Sequence, residues 1–365
     1  MAADLSADVI IVGSGAGGGT MAYALKDSDL EVLILERGDF LPQEAQNWSP
    51  EDSITEARYK PDEYWEWRRK RFRGSNHYYV GGMTKMFGAC LARLREPDFE
   101  AYGLDDGPSP AWPFGYEELE PYYGRAEQIW GVRGSGGEDP MEPRRSTPYP
   151  HQGLEHEPDV QRLADRLRDQ GLHPYTLPMG VDYGDGGACV RSRYCDGFSC
   201  ALQAKCDADM RCVRPALRSA NVSLQTNCKV ERLLTDKSGK RVEAAEVTID
   251  GERRLAKGKV FVVCAGAVNS AALFLRSAGA SHPDGLANSS DQVGRNYMQN
   301  RDTALSGVDP RRVNTTSFQK TLGLNDFYLS PDGNHPRLGT LQTTGKILTS
   351  TSPEPCRGCR AGPPP

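Results

Sequence analysis

The chain has 365 residues, enough for two domains that each bury a core of their own. Hydrophobic residues make up 38% and charged residues 25%, and 44 basic against 49 acidic residues give a formal net charge of -5. No basic excess points to nucleic acid or to an anionic membrane, and no run reaches the ~18 apolar residues of a membrane span. The N-terminus carries neither a basic region nor a cleavage site, so we expect a cytoplasmic protein with mostly reduced cysteines.

The first predicted unit is a strand, a helix and a second strand. Asp8–Val12 is apolar and β-branched like a buried parallel strand, Ala16–Leu25 follows as a helix, and Leu30–Leu35 is the second strand. The turn between the first two fits G-x-G-x-x-G, whose glycines permit a tight turn and a close approach to a pyrophosphate at the helix N-terminus. Glu36 ends the second strand, where a carboxylate accepts hydrogen bonds from ribose hydroxyls and argues against a 2′-phosphate. The pattern predicts a dinucleotide site, with NAD and FAD both open, formed by Gly13, Ser14, Gly15, Ala16, Gly17, Gly18, Glu36 and Arg37.

The middle of the chain carries further helical patterns. The basic run Arg68–Arg71 is interpreted as the solvated face of a helix. Tyr116–Trp130 has helical spacing, whereas residues 131–158 are rich in Gly, Pro, Glu and Arg and predict a loop or an exposed linker. Val160–Gln170 is a short amphipathic helix that ends at Gly171.

The later part of the chain returns to strands. Val222–Asp250 predicts three short strands, with a hairpin turn at Lys237–Lys240. Lys259–Cys264 is a further apolar strand, and a small-residue turn then leads into a predicted helix at Val268–Arg276. After residue 300 the periodicity weakens.

A second glycine-rich segment, Val80–Glu100, favours FAD over NAD. A simple NAD domain would continue with further strand–helix–strand units, whereas glycine turns in three distant segments suit a longer flavin dinucleotide that is contacted from several places. With these segments the chain resembles the glucose–methanol–choline oxidoreductase family of FAD enzymes, over roughly residues 8–300. The motifs that carry the resemblance are the Gly13–Gly18 turn with Glu36, Gly81-Gly82-Met83-Thr84 with Gly88, Arg93 and Asp98-Phe99-Glu100, Ala265–Ser270 with Leu273–Gly279, and Val293–Asn296.

The resemblance implies a fold, a cofactor and a reaction. The fold is α/β, with a Rossmann-like FAD-binding domain (a parallel sheet with helices on both faces plus a β-meander) and an α+β substrate domain. The reaction is oxidation of a CH–OH group in a small-molecule alcohol or sugar, with hydride transfer to flavin; the electron acceptor stays unassigned. The segment around Phe87 holds no His, so we expect FAD to be bound non-covalently. The further cofactor-binding residues implied are Gly81, Gly82, Met83, Thr84, Phe87, Gly88, Ala89, Val230, Cys264, Ala265, Gly266 and Ser270.

The predicted domains are discontinuous. Residues 1–100 and 215–300 form the FAD-binding domain, residues 101–214 and 301–350 the substrate side, and residues 351–365 a disordered tail. In the family the base that takes the hydroxyl proton is a His from a C-terminal segment. None of the six His has that context, Asn334-His335-Pro336 included, so surface loops are expected for all of them and the chain is interpreted as truncated before its catalytic segment. Two alternatives stay open, a non-catalytic FAD-binding fragment and an NAD-dependent dehydrogenase.

Five cysteines cluster between residues 189 and 212. If residues 201–212 are helical, Cys200, Cys206 and Cys212 spread around the helix and do not converge on one centre. The cluster contains no C-x-x-C, so buried free thiols are favoured over a metal or an iron–sulfur cluster, and no metal site is predicted. Cys356 and Cys359 do form C-x-x-C, but without a second pair.

Overall fold

The structure, a computed structural model, describes residues 4–67, 69–104, 107–298, 302–307, 311–329 and 337–344. The helices are α1 (Ala16–Leu25), α2 (Tyr116–Trp130), α3 (Pro158–Arg168), α4 (Arg214–Ala216) and α5 (Ala267–Arg276). The strands are β1 (Leu5–Val12), β2 (Val32–Leu35), β3 (Tyr64–Trp67), β4 (Lys70–Arg73), β5 (Tyr102–Leu104), β6 (Gly107–Ser109), β7 (Arg133–Gly134), β8 (His151–Gln152), β9 (Tyr175–Thr176), β10 (Val222–Gln225), β11 (Cys228–Thr235), β12 (Val242–Ile249), β13 (Glu252–Val263), β14 (Leu322–Leu324) and β15 (Leu341–Gln342). None of the helices in this part of the chain has the length and apolarity to cross a membrane.

A six-stranded sheet is the centre of the fold, in the order β10-β2-β1-β13-β12-β11. The first four strands are parallel, and β13, β12 and β11 continue as an antiparallel meander. The whole of β2 and the second half of β1 are buried, as continuous apolar β-branched runs in a parallel sheet must be. The α/β class with a parallel sheet and a meander is thereby confirmed.

Helices cover both faces of this sheet because successive strand residues point to opposite sides. Ile10 and Val12 pack with Leu273 of α5 on one face. Val9 and Ile11 pack with Ala22 of α1 on the other. The carboxyl ends of β1, β2 and β13 therefore meet where both helices begin.

The two halves of strand β13 pair with different neighbouring strands. Its first half pairs with β12 up to Lys257, and its second half pairs with β1 from Ala256 onwards. Over residues 258–263, no strand of the described part of the chain lies on the flank away from β1. The backbone of this stretch is therefore an unpaired sheet edge within the described residues, and the Val260 side chain on one face of it is 52% exposed.

A second core lies under the middle and late segments. It gathers Ala89, Tyr175, Met179 and Phe318, and next to it β9, β14 and β15 form a small antiparallel sheet. The boundaries of the two predicted domains stay a prediction.

A buried ion network fixes α2 near this region. The Arg93 guanidinium donates from Nε and from a terminal nitrogen to the two carboxylate oxygens of Glu127, at 2.8 Å each, and donates to Glu120 at 3.0 Å. Its side chain is 2% exposed. The predicted helix Tyr116–Trp130 has the bounds that its spacing indicates.

The predicted helix face at Arg68–Arg71 is wrong for residues 69–71, which form a turn and the start of β4, while Arg68 lies outside the described residues. Strands β3 and β4 form a two-stranded hairpin in which Trp65 lies opposite Phe72. The two rings make an edge-to-face contact at 6.0 Å between centroids. Aromatic pairs of this kind stabilise antiparallel strands, and here they outweigh the charge pattern.

Candidate functional site

The first glycine turn connects β1 to α1 and leaves no space for side chains. Gly13 has φ of +97°, and an ideal Cβ placed on it would lie 2.6 Å from the carbonyl oxygen of Cys264. A Cβ on Gly18 would overlap the Gly13 carbonyl oxygen, so the helix lies directly against the turn. Only glycine fits at these two positions.

Ser14 joins the turn to the acid at the end of β2. Its backbone N–H donates to Glu36 Oε2 at 3.0 Å, and its hydroxyl donates to the same oxygen at 2.5 Å. The Ser14 hydroxyl also accepts a hydrogen bond from the backbone N–H of Gly81 at 3.2 Å. One fully buried side chain therefore links the first turn, the carboxylate and the second glycine segment.

The Glu36 carboxylate lies at the wall of the resulting pocket and is 6% exposed. Burial raises its pKa, and the hydrogen bonds from Gly38 and Ser14 offset this only in part. A buried acceptor in this position suits neutral ribose hydroxyls.

The second glycine segment is held close to the first. Gly81 and Gly82 have φ of +95° and +55°, and an ideal Cβ on Gly82 would lie 3.1 Å from the Cα of Gly15. The Thr84 hydroxyl donates to the Gly81 carbonyl at 2.6 Å. Lys85 anchors the segment from behind, because its Nζ lies 3.0 Å from Asp207 and 3.1 Å from Asp209.

The third turn follows β13 and opens α5. The Cys264 N–H donates to the Val12 carbonyl at 2.8 Å, which aligns the end of β13 with the end of β1. Gly266 has φ of +80° at the N-cap of α5. This turn therefore comes to the same edge of the sheet as the first one.

The three turns surround one pocket of about 790 Å³. The helices α1 and α5 both begin at it with a glycine N-cap, without a side-chain cap and without an acidic residue in the first turn. Uncapped N–H groups and the positive end of the helix dipole attract an anion such as phosphate. The pocket thus has the donors for a diphosphate and an acceptor for a ribose.

Most of the residues predicted from the sequence line this pocket. They are Gly13, Ser14, Gly15, Ala16, Gly17, Glu36, Arg37, Gly82, Met83, Thr84, Val230, Cys264, Ala265, Gly266 and Ser270. Gly18 and Gly81 are buried just behind the lining.

The structure places three predicted residues elsewhere. Phe87 and Ala89 pack into the second core, and a Cβ on Gly88 would collide with Lys320 and Asp196. The turn Gly82–Lys85 directs the chain away from the pocket towards this core. Their role towards a flavin stays a prediction.

Several pocket residues are missed by sequence reasoning. The residues that line the pocket near Arg37 and were not predicted are Glu63, Tyr64, Asn76, His77, Tyr78 and Asn269. The segment Asn76–Tyr78 directly precedes Gly81, and Asn269 lies within the third motif, so position next to the motifs was the available signal. The expected surface position is wrong for His77, His156 and His282, which are half-buried, and burial lowers the pKa of His77 and His156. His335 and the tail 351–365 lie outside the described residues.

The cysteine cluster is divided in space. Cys189, Cys195 and Cys200 line one small cavity beside the buried Lys205, whereas Cys212 packs in another core. The eight cysteines of the described ranges are free.

The helical arrangement considered for residues 201–212 is wrong. The segment is irregular up to a π-helical turn at Asp209–Val213, because Lys205 inside it donates to the carbonyls of Phe87, Cys195 and Phe198 at 2.6–2.7 Å. Within the described residues, no group of three or more His, Cys, Asp or Glu is arranged to hold a metal ion.

Comparison with known proteins gives consistent matches. The model of the GMC oxidoreductase family matches residues 8–301. The chain is 31% identical to the 6'''-hydroxyparomomycin C oxidase of Streptomyces lividus over 90% of this chain and 62% of that protein. It is 31% identical to the paromamine 6'-oxidase of Streptomyces fradiae over 89% and 61% of the two chains. It is 27% identical to the fructose dehydrogenase large subunit of Gluconobacter japonicus over 83% and 60%.

The chain therefore spans about three fifths of the length of the curated relatives it matches. Among solved structures, it is similar to an FAD-dependent oxidoreductase from Chaetomium thermophilum, with a TM-score of 0.51 and 14% identity over 74% of this chain and 47% of that one. That likeness concerns the fold alone.

Proposed function

The chain belongs to the GMC oxidoreductase family, and from this we propose that it supplies the FAD-binding part of an enzyme that oxidises a CH–OH group. The substrate class that we propose is a small-molecule alcohol or sugar. The observation that carries the proposal is the meeting of three glycine turns and a buried Glu36 around one pocket.

The pocket fits the chemistry of FAD. A long dinucleotide needs donors for a diphosphate and an acceptor for ribose, and both stand at the same sheet edge. The glycines keep the wall free of side chains, since a Cβ on Gly13 or Gly82 would narrow the gap between the turns.

The residues of the chain have distinct tasks in this proposal. The N-terminal amides of α1 and α5 hold the diphosphate, and Glu36 orients the adenosine ribose. Ser14 keeps the Glu36 carboxylate in place, and the buried surroundings exclude water from it. FAD, when bound, would accept the hydride from the alcohol carbon.

We assign the general base to none of the described residues. His77 lines the pocket and donates its Nδ1–H to the Tyr59 carbonyl at 2.9 Å, which fixes the tautomer and leaves Nε2 unprotonated. The general base is implied only by the resemblance to the family, in which it is a His from a C-terminal segment. We also propose that FAD is bound non-covalently, which the release of intact FAD on denaturation would test. We further propose a cytoplasmic location, which cell fractionation would test.

A titration of the purified chain with FAD tests the function. We expect saturable binding seen in the visible flavin absorbance, with much weaker binding of FMN, which lacks the adenosine part that Glu36 would hold. NAD serves as the comparison for the NAD-dehydrogenase alternative. A chain that binds NAD and leaves the FAD spectrum unchanged would contradict the proposal.

The alternative of an FAD-binding fragment without turnover is separated by a second measurement. The FAD-loaded chain is mixed with alcohols and sugars under anaerobic conditions. Bleaching of the flavin band indicates hydride transfer, whereas binding without bleaching favours the non-catalytic alternative.

A further inference from the structure

We propose that Arg37, Glu63, Tyr78 and Asn269, hereafter the rim cluster, determine which ribose the pocket accepts. The rim cluster keeps the Arg37 guanidinium away from the ligand and so reserves the site for an adenosine without a 2′-phosphate. This inference rests on the proposed FAD function and adds a specificity-determining role for Glu63, Tyr78 and Asn269, which the sequence analysis does not assign to the site. All four residues line the pocket.

The Arg37 guanidinium is occupied on its edge and on its face. One terminal nitrogen lies 2.5 Å from Glu63 Oε2. Its Cζ lies 4.0 Å from the centroid of the Tyr78 ring, the distance of a cation–π contact. These two contacts orient the guanidinium, whose side chain is 33% exposed.

The Tyr78 hydroxyl connects the remaining members. It donates to Glu63 Oε1 at 3.0 Å and accepts from Asn269 Nδ2 at 3.3 Å. Both carboxylate oxygens of Glu63 are therefore used, one by Arg37 and one by Tyr78. The rim cluster joins the end of β2, the residue before β3, the approach to Gly81 and the first turn of α5.

Arg37 lies at the position from which an arginine could contact a 2′-phosphate on the ribose. It directly follows Glu36, and an arginine near the end of the second strand is the residue that accommodates a 2′-phosphate in NADP-binding proteins. Here the Glu63 carboxylate balances the charge of that arginine, which weakens the attraction of Arg37 for a phosphate.

The other basic side chains of the pocket are engaged as well. Lys229 Nζ is paired with Glu231 at 2.8 Å, and Arg276 Nε donates to the Glu231 carbonyl at 3.3 Å. The ribose end of the pocket is consequently dominated by the Glu36 carboxylate, which repels a phosphate and accepts hydroxyls.

The variant Glu63→Gln tests the inference with defined probes. The affinities of the purified chain for ADP and for ADP with an added 2′-phosphate are measured by competition with FAD. The wild type is expected to prefer ADP. Because Glu63→Gln removes the negative charge that balances Arg37, it is expected to shift the ratio of the two affinities towards the 2′-phosphate by at least about tenfold, as one charge-assisted hydrogen bond would.

A second variant, Tyr78→Phe, keeps the ring under Arg37 and removes both hydroxyl contacts. Because Glu63 and Asn269 lose the contact that holds them in the pocket wall, it is expected to raise the Kd for FAD about fivefold. Tyr122→Phe is the matched control, because Tyr122 is 62% exposed on α2 and is expected to leave the Kd unchanged. Thermal unfolding of each variant checks that it is folded.

Two results would overturn the claims, and they are distinguishable. If the wild type binds FAD but Glu63→Gln and Tyr78→Phe keep its ratio of affinities and its Kd, the rim cluster has no role in specificity. If the wild type binds neither FAD nor ADP, the proposed function itself fails. Asn269→Ala serves as a third variant if Tyr78→Phe does not fold.

Discussion

Replacing Gly82 by alanine tests the close approach of the two glycine loops. Gly82 has φ of +55°, where an alanine costs about 1–2 kcal/mol of the free energy of unfolding. The new methyl group would also lie 3.1 Å from the Cα of Gly15, so one loop must give by a few tenths of an ångström. That displacement falls at the turn proposed to hold the diphosphate.

Gly251 provides a matched control for the backbone cost. It has φ of +80° in the turn between β12 and β13, and no described atom lies within 4 Å of an ideal Cβ there. Urea denaturation should therefore show a loss of about 1–2 kcal/mol in both variants.

The affinity for FAD should separate them. Gly82→Ala is expected to raise the Kd at least about tenfold, or about 1.4 kcal/mol, and Gly251→Ala to leave it unchanged. Quenching of flavin fluorescence measures both. Equal FAD affinity of the two variants would refute the idea that the approach of Gly15 and Gly82 forms the cradle.

Three further predictions concern stability and thiol chemistry. Arg93→Met removes the cation that faces the buried Glu120 carboxylate, which keeps its hydrogen bonds from Ser146, while Glu127 keeps its pairing with Arg145. Urea denaturation should therefore show a loss of about 3 kcal/mol, and an unchanged stability would contradict the buried network. Burial raises the pKa of Glu36 above 4.5, so its protonated form stabilises the fold below that pH and this contribution is lost as the pH rises through the folded-state pKa. We therefore expect the free energy of unfolding of the wild-type apoprotein to fall relative to that of Glu36→Gln as the pH rises above 4.5. Urea denaturation at a series of pH values measures this difference. Burial also raises the pKa of Cys206 and Cys228 to about 12, so mass spectrometry after alkylation near neutral pH should find both modified only in unfolded protein.

The sequence was most informative where local chemistry decides the structure. The G-x-G-x-x-G turn, the strand Asp8–Val12 and the helix Tyr116–Trp130 follow from glycine geometry and from the apolar pattern alone. Their tertiary neighbours support the same conformation, so no competing preference had to be overcome.

The remaining parts depend on contacts between distant segments. Glu63, Tyr78 and Asn269 reach the pocket from three segments, and no single stretch of sequence records their meeting. In the hairpin Tyr64–Arg73, pairing of aromatic side chains across the strands overrides a charge pattern that is typical of a helix. Phe87 and Ala89 follow a pocket motif, yet burial of their apolar surface draws them into another core.

The bare flank of β13 bears on how the protein must be handled. Backbone groups alternate in direction along a strand, and Cys264 N–H points to β1, so every second amide between residues 258 and 263 points outward. Such a strip can accept any extended chain, another molecule of the same protein included. No strand of the described residues covers this strip, so we expect concentrated samples to associate through it. Light scattering at increasing protein concentration tests this, and FAD binding is best measured in dilute solution.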